Sequence, residues 1–167
     1  MTRWLLVAAI LFGLDATSAS DQRQLSFYHT HTGKTLSVVY YRNGDYVPSA
    51  LKRIDDYLKD FRNGELHAID PALLDVLFAI KTQTQSRAPF EVISAYRSPQ
   101  TNGMLRTKST GVAEQSLHLR GQAIDVRLRD VKLERLREVA LGLKRGGVGF
   151  YPGSQFVHVD TGRVRRW

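Results

Sequence analysis

Two short segments near the end of the chain constrain the fold most, because each alternates between apolar residues and residues that can do chemistry. In Ala123-Ile124-Asp125-Val126-Arg127-Leu128, one face collects Ile124, Val126 and Leu128, and the other collects Ala123, Asp125 and Arg127. In Phe156-Val157-His158-Val159-Asp160, Val157 and Val159 share one face, and Phe156, His158 and Asp160 share the other. A period of two is that of a β-strand, whose apolar face must be covered by a core. If the two strands are sheet neighbours, Asp125 and His158 converge on the face opposite that core. His118 then reaches the same point across a turn that Gly121 permits.

The preceding chain supplies the elements to cover such a sheet. Leu25–Tyr28 and Thr35–Tyr41 are rich in aromatic and β-branched residues and flank His31-Thr32-Gly33, which predicts a hairpin, with a further turn at Asn43-Gly44. Leu51, Ile54, Leu58 and Phe61 lie on one helical face. So do Leu73, Leu74, Leu77, Phe78 and Ile80, after an Asp70-Pro71 start that offers an N-cap and a first-turn proline. Phe90–Ser94 is expected as a strand, Leu133–Lys144 as a helix stopped by Gly146-Gly147, and Val148–Tyr151 as a closing strand. Helices precede a strand-rich second half. The expected class is therefore α+β, an antiparallel sheet with helices packed on one side, rather than a βαβ winding.

Residues 1–19 carry Arg3 near their start, continue through the apolar run Trp4–Leu14 and end in the small residues Ala16–Ala19. That run is too short for a bilayer core, so it is expected to be an export signal cleaved near Ala19, with an uncleaved anchor as the alternative. Residues 21–167 are expected to form one domain. The net charge of +8 suits acidic envelope polymers, and without a recognition motif no nucleic-acid partner is expected.

The chain has no cysteine, so disulfides, thiolate zinc sites and cysteine nucleophiles are excluded. Histidine and carboxylate remain. Two imidazoles and one carboxylate with an open fourth position suit a catalytic zinc, whereas calcium takes six to eight oxygens.

The segment Ser116-Leu-His118-Leu-Arg-Gly121-Gln-Ala123-Ile-Asp125 resembles the Ser-x-His-x-x-Gly-x-Ala-x-Asp signature of zinc peptidases related to D-alanyl-D-alanine carboxypeptidases and hedgehog domains. The rest of the chain is similar to the murein endopeptidase K branch through His31-Thr-Gly33, Ser94-Ala-Tyr-Arg97-Ser-Pro99, Gly146-Gly-Val-Gly149-Phe-Tyr-Pro152 and Phe156-Val-His158-Val-Asp160-Thr-Gly162. The resemblance implies a hedgehog/D-Ala-D-Ala peptidase-like fold, one zinc held by His118, Asp125 and His158, and hydrolysis of peptidoglycan cross-links, diaminopimelate-containing bonds being favoured. It also implies action in the periplasm or envelope; a monomer is expected. A D-alanyl-type carboxypeptidase and a zinc-stabilised wall-binding module without catalysis are the alternatives.

Within that family, an arginine matching Arg97 is associated with stabilising the oxyanion; a substrate-carboxylate clamp or a structural ion pair are its other roles. Some relatives carry Glu or His just before the last zinc histidine, where Gln155 and Phe156 stand here. Asp160 is therefore expected to act as base or to orient the ligands. Ser116 and Tyr151 are candidates for substrate contact, although Tyr151 and Tyr96 can equally pack. A structural or rim role is expected for His31, neighbour of His29, and solvent exposure for His67. The tail Arg163–Trp167 is expected to be solvated or to touch anionic wall or lipid.

Overall fold

The computed structural model describes residues 21–108 and 111–167; the expected signal segment 1–19 lies outside them. No helix among the described residues is long and apolar enough to cross a membrane. Strands Gln22–His29 (β1) and Thr35–Arg42 (β2) form the antiparallel hairpin, and Asp45–Tyr46 (β3) folds back through Asn43 and Gly44, both at positive φ. Helices Pro48–Tyr57 (α1) and Pro71–Thr84 (α2) follow, the second capped by the Asp70 carboxylate, which accepts from Ala72 N at 3.0 Å. Next come Phe90–Ser94 (β4), Pro99–Lys108 (α3), Ala123–Arg127 (β5), Leu133–Leu143 (α4), Gly147–Tyr151 (β6), Phe156–Asp160 (β7) and Arg165–Arg166 (β8).

The strand order is β3-β2-β1-β4-β5-β7-β6-β8, and the sheet is mixed, not antiparallel as expected. β1 and β4 run parallel because the chain crosses over through α1 and α2 before β4 joins β1. β6 and β8 are parallel as well. Leu25, Phe27, Tyr40, Phe90, Val92, Ile124, Val126, Val157 and Val159 place the core on one face of the sheet. Ile54 from α1, Leu73, Leu74, Leu77 and Ile80 from α2, and Leu136 from α4 complete it, so these three helices cover one side. The buried residues of α3 are the polar Thr101 and Asn102, which do not join this core.

Two local expectations differ from the structure. Phe61 lies beyond α1, because Asp60 accepts from Arg62 N at 3.1 Å and from Ser98 N at 2.9 Å and draws the chain out of the helix. Gly146 and Gly147 are not the stop of α4; Lys144, at φ +53°, occupies that place. Their constraint is space: a Cβ on Gly146 would lie 1.7 Å from Asp160 O, and one on Gly147 would lie 2.5 Å from the Asp160 carboxylate.

Candidate metal centre

The sheet register assembles the first part of the site. β5 pairs antiparallel with β7 so that Asp125 faces His158 and Ala123 faces Asp160. Their neighbours Ile124, Val126, Val157 and Val159 are anchored in the core, which obliges the intervening side chains to point to the other face. His118 comes from a 3₁₀ turn, Leu117–Arg120, opened by Ser116, whose Oγ accepts from His118 N at 3.4 Å. Gly121 closes that turn at φ +63°, where a Cβ would also strike Ala68 O at 2.1 Å.

All three residues are buried, and their ligand atoms lie within 4.8 Å of one another. Asp125 Oδ1 is 2.9 Å from His158 Nδ1 and 3.3 Å from His118 Nε2, and the two imidazole nitrogens are 3.2 Å apart. The far side of each ligand is held as well. His118 Nδ1 lies 2.6 Å from Ala95 O, which can only accept, so in the neutral ring this nitrogen carries the proton and Nε2 faces inward as a lone pair. His158 Nε2 lies 3.1 Å from Asp160 Oδ2, which directs its Nδ1 inward in the same way. Arg97 Nη2 donates to Asp125 Oδ2 at 2.7 Å. Two imidazole lone pairs and a carboxylate oxygen then converge with no donor among them, and that donor set can hold a metal ion.

The electrostatics agree. Burial, helped by the Arg97 charge, pushes the His118 pKa down and outweighs the pull of Asp125, which keeps the ring neutral. Burial also works against the charged form of His158, but hydrogen bonds to Asp125 and Asp160 win and raise its pKa. Asp125 would be raised by burial, yet the two imidazoles hold it far below the usual carboxylate range. A proton on His158 and a bound metal ion would thus compete for one lone pair.

Behind His158, Asp160 is fully buried and accepts from Gly147 N at 2.8 Å, Gly162 N at 2.9 Å and Arg165 Nη2 at 2.7 Å. The hydrogen bond to His158, with these same groups, overcomes burial and depresses its pKa far below the usual range. It does not border the cleft that opens over the three ligands. That cleft, about 420 Å³, is bordered also by Arg97, Ser116, Tyr151, Phe156, Arg165 and Trp167. Asp125 is its only carboxylate among the described residues.

Other candidates fall elsewhere. Tyr96 is buried, and its hydroxyl donates to Glu65 at 2.7 Å; exposed His67 stacks on its ring. His29 is buried and His31 stacks on Phe61, and neither joins the ligand group. The tail is not simply solvated. Arg165 holds Asp160, the Trp167 ring is 5.2 Å from that of His158, and Trp167 Nε1 donates to Tyr151 Oη at 2.7 Å. Sequence reasoning missed Arg165, Trp167, the Ala95 carbonyl and Ser94, which accepts from Arg97 Nε at 2.9 Å. Only Ser94 lay within a motif that could have drawn attention to its side chain.

Comparison with known proteins gives a consistent result. The family model described as "Peptidoglycan L,D-endopeptidase MepK" matches residues 17–167. Peptidoglycan L,D-endopeptidase MepK of Escherichia coli (strain K12) is 38% identical over 150 residues, covering 90% of this chain and 82% of that protein. The probable peptidoglycan L,D-endopeptidase MepK of Haemophilus influenzae is 38% identical over 174 residues, covering 99% and 94%. No solved structure matches.

Proposed function

We propose, from the premise that this chain belongs to the peptidoglycan L,D-endopeptidase MepK family, that it hydrolyses stem-peptide cross-links of peptidoglycan at diaminopimelate-containing bonds, with one zinc ion held by His118, Asp125 and His158. The observation that carries this is the convergence of three buried lone pairs whose opposite sides are all hydrogen-bonded. Two imidazoles in the set favour zinc over magnesium or calcium. When bound, the metal supplies Lewis-acid activation of water and of the scissile carbonyl. The chain is taken to act in the periplasm as a monomer after removal of residues 1–19.

The remaining roles fall to the residues of the cleft. Arg97 spends Nε on Ser94 and Nη2 on Asp125, which leaves Nη1 to donate to the oxygen where negative charge develops. Ser116 and Tyr151 border the same space and offer hydroxyls to the peptide. Of the two roles expected for Asp160, its position behind His158 supports the orienting one.

Digestion of purified sacculi, with muropeptides read by mass, tests the proposal. Cross-linked dimers are expected to disappear with zinc and to persist with chelator, and the fragment masses name the bond. Persistence of the dimers with zinc bound one to one would overturn hydrolysis in favour of a wall-binding module. Asp160→Asn separates the two roles of that residue. An amide nitrogen in place of Oδ2 cannot accept from His158 Nε2, so the imidazole is driven to the tautomer with Nδ1 protonated. Zinc affinity in a competitive chelator titration is then expected to fall about 10- to 100-fold. Unchanged affinity with lost turnover would instead make Asp160 the base.

A further inference from the structure

A second concavity, of about 450 Å³, lies between the β1–β2 hairpin and α1, and has no part in the metal centre. Its border carries Lys34, Lys52, Arg53 and Lys59, against a single acid, Asp56. Lys59 pairs with Asp56 at 2.9 Å, whereas Lys34, Lys52 and Arg53 make no ion pair among the described residues. Tyr57 and Phe61 line it, and the Tyr57 hydroxyl donates to Lys34 O at 2.8 Å. Thr32 and His29 also border the cavity, and His29 is only 2% exposed. Its Nδ1 accepts from His31 N at 3.3 Å, so the neutral ring carries its proton on Nε2. Burial, with neighbouring His31 and the charges of Arg62 and Lys34, favours that neutral form. The groove thus offers unpaired cations and a buried donor around two aromatic rings, and its complement is an anion.

The groove is also tied to the metal cleft. Arg62 lies over the Phe61 ring at 4.1 Å. The loop that carries it is fastened by Asp60, which accepts from Ser98 N and Oγ at 2.9 Å each, and by Asn63, which donates to Ser98 Oγ at 2.9 Å. Ser98 directly follows Arg97, a border of the cleft. Arg62, which pairs with the buried Asp60 at 3.9 Å, feels the Arg97 charge and so stands between the groove and the cleft. A polymer bearing several carboxylates matches the unpaired Lys34, Lys52 and Arg53 of the groove. The rings are recessed beside the cations, which suits a strand laid into the groove better than a lipid surface met by a protruding apolar patch.

Resting on the peptidoglycan assignment, we propose that this groove is an accessory site for the carboxylates of neighbouring, uncleaved stem peptides, and that it holds the enzyme on polymeric wall. The test uses Lys52→Glu/Arg53→Glu, both exposed on α1, in the full chain, with Lys52→Gln/Arg53→Gln and thermal unfolding as checks on folding. Binding to purified sacculi is measured by co-sedimentation in a His118→Ala background, where hydrolysis is removed. The charge-reversed protein is expected to bind about tenfold more weakly than its parent, and amidation of the sacculus carboxylates to weaken the parent equally. With His118 intact, hydrolysis of sacculi is expected to fall about tenfold, while that of a soluble cross-linked dimer changes less than about twofold because an isolated dimer brings no neighbouring stem peptides to the groove.

Equal binding by the variant, indifference to amidation, or loss of binding only to phosphatidylglycerol vesicles would each overturn the site. A parent that hydrolyses neither substrate, while charge reversal still weakens sacculus binding, would sink the hydrolase assignment and leave the groove standing.

Discussion

Replacement of His118 by Ala is expected to lower hydrolysis of cross-linked peptidoglycan by about 10³-fold or more, and to lower bound zinc with it. The size follows from how little redundancy the site contains. Among the described residues only His118, Asp125 and His158 form a cluster able to hold a metal, and Ala in place of His118 leaves two ligands. Metal content and muropeptide turnover should fall together. Retained stoichiometric zinc after the substitution would refute the ligand assignment. Acid should act in the same direction. The His158 pKa is raised by Asp125 and Asp160 against burial, so on acidification this ring takes up a proton before His118, whose pKa is lowered. The proton occupies the lone pair that zinc needs, and zinc affinity is expected to decrease as the pH falls through the His158 value.

Gly146→Ala is expected to destabilise the fold by about 3 kcal/mol or more, although Gly146 carries no chemistry. The new Cβ would sit 1.7 Å from Asp160 O and 2.7 Å from its carbonyl carbon. Neither atom can swing aside as a side-chain end could. They belong to the end of β7, which pairs on both sides with β5 and β6, and the Asp160 carboxylate is itself held by Gly147 N, Gly162 N and Arg165. Any shift that relieved the contact would also move Asp160 away from His158. Urea unfolding should therefore show a large drop in midpoint, accompanied by weaker zinc binding in whatever protein still folds. Gly142→Ala is the control of opposite sign. It lies exposed in α4 with nothing within 4 Å of the added Cβ, so about 0.5–1 kcal/mol of stabilisation is expected. A normal midpoint for Gly146→Ala would show that β6 and β7 can separate at no cost.

The parts of the fold legible in advance are those where local pattern and burial agree. Asp70-Pro71 opens α2, Asn43-Gly44 turns the chain at positive φ, and β4, β5 and β7 run within a residue or two of their expected ends. The mixed direction of the sheet was not legible. An alternating strand shows which residues are buried, but not which strand it pairs with or whether its neighbour runs parallel. α3 escaped because its buried residues, Thr101 and Asn102, are polar and leave no apolar stripe.

The candidate site divides in the same way. Residue types and alternation alone determined that Asp125 and His158 would face away from the core, and that His118, beyond Gly121, could join them, because side-chain direction in a strand follows from its period of two. The tertiary structure alone decided what stands behind each ligand. The Ala95 carbonyl on His118 is a backbone atom with no sequence signature, and Arg165 reaches Asp160 only because the chain returns from β7 to pair β8 with β6. Gly146 looks like a helix stop in the sequence and becomes a steric requirement only once β7 lies against it. Periodicity is carried by neighbouring residues and can be read from them. Orientation and close approach depend on atoms brought from distant parts of the chain, so they exist only after folding.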